Sequence, residues 1–150
     1  MDILNLFKPV ILTISMLLAT QVLSANVPPV FDPENQSVKE IRTKELKLLK
    51  RIHSEKMILL DIRPFKEYRS FKIEGAIWVG GNLNNKKLFE FDKDATIIFY
   101  GYSDSKTIEF ALHLKNHGFK DARIYAGGIV DWILNGYEVV NAKGKITNNY

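Results

Sequence analysis

From residue 38 to residue 140, short apolar runs alternate with amphipathic stretches. The clearest run is Thr96–Tyr100, Thr-Ile-Ile-Phe-Tyr, continuous and rich in β-branched and aromatic side chains. Such a run predicts a strand buried on both faces, as in a parallel sheet. Residues 57–62 repeat the pattern, interrupted only by Asp61, and predict a second buried strand. Shorter strands are predicted at 38–41, 76–79, 122–125 and 139–140. Helical spacing falls between them. Leu46, Leu49 and Ile52 predict a helix over 44–53 with Thr43 at its N-cap. Phe65 and Tyr68 predict a short helix over 65–71, with Pro64 suited to its first turn. A helical turn is predicted at 86–91. Ile108, Ala111, Leu112 and Leu114 form the apolar side of a helix over 106–117, which Gly118 ends. A last short helix spans 129–135, with Gly136 after it. Strands and helices in alternation predict an α/β class with a mainly parallel sheet. The polar stretch 143–150 predicts a frayed end.

The N-terminus follows a different pattern. Lys8 precedes an apolar run that starts at Val10, and small residues follow at Ser24 and Ala25. This is the pattern of a secretory signal peptide over 1–25, weakened by Asp2 in the positive region. The run falls short of the roughly 20 residues a spanning helix needs, and an uncleaved anchor is the alternative. Pro28, Pro29 and Pro33 predict an extended linker over 26–37. The expected organisation is signal segment, linker, a domain at 38–140 and a polar tail at 141–150. The expected location is periplasmic or extracellular, with membrane attachment as the alternative.

Composition narrows the chemistry. The chain has no cysteine, which excludes disulfides, thiolate metal sites and a lipoprotein anchor. The net charge of +4 is spread thinly, with Lys86-Lys87 and Lys50-Arg51 as the tight pairs. No basic stripe with interleaved aromatics is present, so nucleic acid is not an expected partner. At 150 residues and 46% hydrophobic content, one domain with an ordinary core is expected.

The candidate site follows the strand at Thr96–Tyr100. Gly101 breaks the strand, a polar loop comes next, and a helix starts near 105–107. A strand, a tight loop and a helix N-terminus let backbone amides converge on an anion at the carboxyl edge of a sheet. The candidate ligand loop is Gly101, Tyr102, Ser103, Asp104, Ser105 and Lys106, and the candidate ligand a small sulfur or phosphorus oxyanion. Lys106 adds a point charge without the bidentate grip of arginine. Asp104 repels an anion unless it turns outward or caps the helix. The loop is therefore either a ligand cradle or a structural turn, and Tyr102 either a lid or a surface aromatic. A phosphate loop needs a second glycine before Lys106-Thr107, and none is there. Ser103 and Ser105 lack a visible base, which leaves a serine hydrolase as a weaker alternative. His113 and His117 lie one turn apart, as two metal ligands would, but share a polar helix face. No metal or cofactor is expected. Trp132 and Phe119 are read as core, and Trp78 as core or pocket rim.

The order of several short motifs resembles the rhodanese-like domain. Asp61-Ile62-Arg63 resembles the family's Asp-x-Arg strand end, and Glu67-Tyr68 its Glu-Tyr helix. Residues 73–77, Ile-Glu-Gly-Ala-Ile, are similar to its Ile-Pro-Gly-Ala segment, with Lys72 and Glu74 in place of a histidine and a proline. Gly118-Phe119 and the stretch from Gly127-Gly128 to Trp132 are similar to its closing motifs. The resemblance implies a three-layer α/β/α sandwich with a mainly parallel sheet, and a supporting role for Asp61 and Arg63 beneath the pocket. It also places Gly101 where catalytic members carry cysteine. Cysteine-persulfide sulfur transfer needs a thiolate as nucleophile and carrier, so this chain cannot perform it. The expected function is a non-catalytic module that binds a small anion or a partner, such as another exported protein. A purely structural interaction domain is the remaining alternative.

Overall fold

Five strands pair in parallel in the order β1-β6-β5-β2-β4. They are β1 (Lys39–Ile41), β2 (Met57–Asp61), β4 (Ile77–Trp78), β5 (Thr96–Tyr100) and β6 (Asp121–Tyr125). The helices between them are α1 (Thr43–Ile52), α2 (Phe65–Ser70), α3 (Asp104–Asn116) and α4 (Gly128–Leu134), with a 3-10 turn at Lys86–Phe89. The structure is a computed structural model that describes residues 37–53, 55–141, 143–144 and 146–147. These fall within one compact unit, Pro33–Tyr150. The predicted signal segment, and the linker apart from Ser37, lie outside the described residues.

The two-residue period of a strand explains why the central runs are apolar throughout. Along β5, Ile97 and Phe99 face one core cluster with Leu60, Phe110 and Leu114. Ile98 and Tyr100 face the other, with Leu46, Ile129 and Trp132. Helices on both faces bury both sets, which gives the three-layer α/β/α arrangement. Phe119 and Trp132 are buried, as their apolar character predicts. All five strands run the same way, so the segments after β2, β5 and β6 meet at one edge of the sheet.

Several elements differ from the sequence expectation. Phe71–Ile73 is a strand, β3, rather than the end of a helix and its turn. It pairs antiparallel with β7 (Val139–Asn141), which pairs with β8 (Ile146–Thr147) in a second, three-stranded sheet. β8 lies in the tail expected to fray. Helix α2 stops because Phe71 is already extended (φ −164, ψ 148); from there Ile73 turns into the core while Lys72 over Tyr68 stays near the surface. Helix α3 begins at Asp104, earlier than predicted, because Ser103 is the extended N-cap. Its buried row is Thr107, Phe110, Ala111 and Leu114, whereas Ile108 is exposed. Thr43 is the first residue of α1 and Arg42 its N-cap. The Thr43 hydroxyl instead pairs with the Tyr125 hydroxyl at 2.8 Å and donates to the Asp131 carboxylate.

Candidate functional site

The register Leu60↔Phe99 and Asp61↔Tyr100 ends β2 and β5 at the same height. The Ile62 amide continues the ladder by donating to the Tyr100 carbonyl at 3.1 Å. Ile62 therefore lies beside Gly101. A β-carbon built on Gly101 would fall 2.9 Å from Ile62 Cγ1 and 3.3 Å from Cδ1. The space a side chain at 101 needs is already filled by isoleucine. Gly101 is pressed from the other side as well: a β-carbon on Gly128 would fall 2.1 Å from the Gly101 carbonyl oxygen. Only a glycine lets the loop after β6 approach so closely.

Around Gly101 lies a cavity of about 140 Å³ lined by Ile62, Arg63, Pro64, Gly101, Tyr102, Ser103 and Lys106. Of the predicted loop residues, Gly101, Tyr102, Ser103 and Lys106 line it, and Asp104 and Ser105 do not. Asp104 turns toward the neighbouring loop, where its carboxylate accepts from the Gly127 amide at 3.4 Å. The Ser105 hydroxyl pairs with that of Ser103 at 2.7 Å. No histidine lines the cavity to activate either serine. Among the described residues, no acceptor is found for the amides of residues 102–106; the Thr107 amide is the first to bond back, to the Ser103 carbonyl at 3.2 Å. The N-cap serine does not bond to them with its side chain. Lys106 is exposed, and its chain lies near Gly81, with Cε 3.7 Å from the position of a β-carbon there.

Arg63 and Asp61 support this edge from below. Both side chains are fully buried. The carboxylate accepts from Arg63 Nη2 at 2.7 Å, Nε at 3.0 Å and the backbone amide at 2.9 Å. Nη2 also donates to the Phe71 carbonyl at 2.7 Å, which ties β3 to the turn after β2. Burial opposes the guanidinium charge, but the Asp61 carboxylate outweighs it and raises the Arg63 pKa. Arg63 Nη1 is buried and has no acceptor. The guanidinium carbon lies 5.2 Å from the ring centre of Phe71, 5.7 Å from that of Tyr100 and 5.6 Å from that of Tyr102. Tyr102 thus covers Arg63 while remaining 58% exposed. Burial and the Glu67 carboxylate raise its pKa. Burial, then Asp61, push the Tyr100 hydroxyl well above its ordinary value. Trp78 is half-buried and donates from Nε1 to the Arg63 carbonyl at 2.9 Å, fixing the same turn.

Ile62 and Pro64 are site residues that sequence reasoning missed. A signal for Ile62 was present: a glycine where a strand would deliver a side chain leaves a volume that the adjacent strand end must fill. His113 and His117 pack with ring centres 4.5 Å apart, and Phe89 lies against both. Among the described residues, no group of three metal-ligating side chains forms.

Comparisons with known proteins agree with this geometry. The model of the rhodanese-like domain matches residues 45–135. BH2092 from Bacillus halodurans superposes with a TM-score of 0.63 at 25% identity, covering 71% of this chain and 79% of that one. The rhodanese-like domain of the Alr3790 protein from Anabaena sp. gives 0.61 at 19% identity, covering 73% and 84%. A thiosulfate sulfurtransferase from Pseudomonas aeruginosa gives 0.60 at 23% identity, covering 72% of this chain but 21% of its own length. No curated protein matches the sequence. The family match spans more than half of the chain, and the chain belongs to the rhodanese-like domain family, as a member without cysteine.

Proposed function

We propose that this chain is an exported, non-catalytic rhodanese-like module whose 101–106 loop binds a small sulfur or phosphorus oxyanion. The observation that carries the reading is the set of unused donors around one small cavity. The amides of 102–106 lack acceptors among the described residues, Lys106 lines the cavity, and so does Arg63, whose Nη1 is unpaired. Unpaired donors at a helix N-terminus favour negative charge. Asp104, the residue most at odds with an anion, is engaged with Gly127 and stays off the cavity wall. The export part of the proposal rests on the sequence of residues 1–25. A partner segment in the same mouth is the second reading, favoured by Tyr102, which lines the cavity and is 58% exposed.

Calorimetric titration with thiosulfate, sulfate, sulfite and phosphate tests the first reading. Saturable binding of at least one anion is expected, weakened about tenfold or more in Lys106→Ala, the scale of one charge-assisted hydrogen bond. No saturable binding, or affinity unchanged by that substitution, would contradict it.

A further inference from the structure

Away from the cavity, α1 carries Lys44, Lys47, Lys50 and Arg51 within eight residues. Its one carboxylate, Glu45, turns toward Lys39 at 3.7 Å and Arg123 at 3.9 Å. Among the described residues, none of the four cations has a carboxylate within ion-pair distance. Lys50 Nζ donates to a backbone carbonyl, that of Glu74. Burial, and the like charge of Lys47, depress its pKa, although Glu74 works the other way. Lys47 Nζ lies 4.5 Å from the ring centre of Tyr137, and Leu48 is 47% exposed between the cations.

These side chains line two depressions that share Lys47 and Arg51. One, of about 330 Å³, is lined by Lys44, Lys47, Leu48, Arg51 and Tyr137. The other, of about 210 Å³, adds Lys50, Trp132 and two carboxylates, Glu74 and Glu138. Unneutralised charge held around an apolar floor is a binding surface that lacks its counter-charge.

We propose that this groove docks an acidic peptide segment of a partner protein, with its carboxylates on Lys44, Lys47 and Arg51 and one apolar side chain on Leu48. The shape and charge favour a peptide over a uniformly anionic surface. The depressions are the size of a few side chains, and Glu74 and Glu138 line the smaller one, so an anionic array continuous across both is repelled there, whereas no carboxylate lines the larger. Tyr137 already has a cation over its ring, so it offers no free platform for stacking a base.

Fluorescence anisotropy of the full chain tests the proposal, with a labelled probe peptide of alternating Glu and Asp around a central Phe and Leu. Saturable binding is expected. It should weaken about tenfold between roughly 50 and 300 mM salt as the charges are screened. The charge-reversal pair Lys47→Glu/Arg51→Glu should cost at least about tenfold, like-charge contacts being strongly unfavourable. The remote pair Lys86→Glu/Lys87→Glu should leave affinity within about twofold, and circular dichroism should show all variants folded. Saturating thiosulfate should not displace the peptide, which separates this surface from the 101–106 loop. The proposal is overturned by absent saturation, by equal losses in both charge-reversed pairs, by displacement with thiosulfate, or by phosphatidylserine vesicles or a single-stranded oligonucleotide outcompeting the peptide.

Discussion

Ile62 and Gly101 are complementary, and the pair has consequences for any attempt to restore a thiol. The β-carbon of a cysteine at 101 would meet Ile62 Cγ1 at 2.9 Å. Gly101→Cys alone is expected to cost about 1–3 kcal/mol, the range for overpacking a core. Ile62→Ala alone should cost about 2–5 kcal/mol, because it opens a cavity under the loop. Together the two changes compensate, since the new side chain enters the vacated space. A double-mutant cycle by chemical denaturation should give a favourable coupling of about 1 kcal/mol or more. Simple additivity would show that Ile62 does not occupy this space in solution. The buried pair below is a second residue-scale test. Asp61→Ala leaves Arg63 charged and unpaired in the interior and should cost about 3–5 kcal/mol. Replacing both with Leu and Met should recover much of that loss; if it does not, the tie to Phe71 matters more than the ion pair. His113 provides a pH signature. Burial, then His117, lower its pKa from 6.5, so the unfolded chain binds its proton first. Stability should fall as the pH drops below about 6.5, and His113→Phe should flatten that part of the profile. An unchanged profile in the variant would remove His113 as the cause.

At the scale of elements, the long strands and helices were legible and the small edge strands were not. Thr96–Tyr100 was read correctly because five apolar, β-branched or aromatic residues in a row admit few other structures. Phe71–Ile73 was missed because it has three residues, follows α2 without a break, and pairs with β7, distant in sequence. The buried face of α3 holds Phe110 where the sequence pattern favours Ile108, which is exposed. The complete row of positions spaced three and four apart includes Thr107, whose hydroxyl is satisfied by the Asp104 carbonyl at 2.8 Å and so tolerates burial. Gly101 and the loop around it were legible as a candidate because a polar loop breaks the strongest strand just before a helix, and the resemblance then placed Gly101 at the family's cysteine position; the filling by Ile62 was invisible without the register of β2 on β5. The loop after β6 yields a prediction of its own. Gly128→Ala places a β-carbon on the Gly101 carbonyl and demands φ of +56 from alanine. The combined clash and left-handed strain should cost about 3 kcal/mol or more, with amide shifts spreading to residues 101–103. A variant as stable as the parent would mean the two loops are not in contact.

For the whole molecule, the parallel order of the sheet assembles the site: every strand delivers its carboxyl end to the same edge. The family and the α/β/α architecture were legible in the sequence because several short motifs fell in order along a domain-length stretch. The ligand was not, because the motif that would name it carries glycine in place of a reactive side chain. Among the described residues, no helix is long and apolar enough to cross a membrane. The proposed export concerns residues outside that set, and the mass of the secreted product checks it. A mature chain beginning at Ala25 or Asn26 is expected; retention of the N-terminus would replace cleavage with anchoring.

On the proposed reading, the 101–107 loop holds an anion site although glycine stands at the family's nucleophile position. The most direct measurement is a titration of the isotope-labelled protein with thiosulfate, sulfate, sulfite and phosphate, followed by amide chemical shifts. Saturable shifts concentrated at Gly101 to Thr107, with smaller ones at Ile62 and Arg63, are the predicted result. An unperturbed loop at saturating anion, or shifts that map to α1 instead, would rule out that site and reduce residues 101–107 to a strand-to-helix turn.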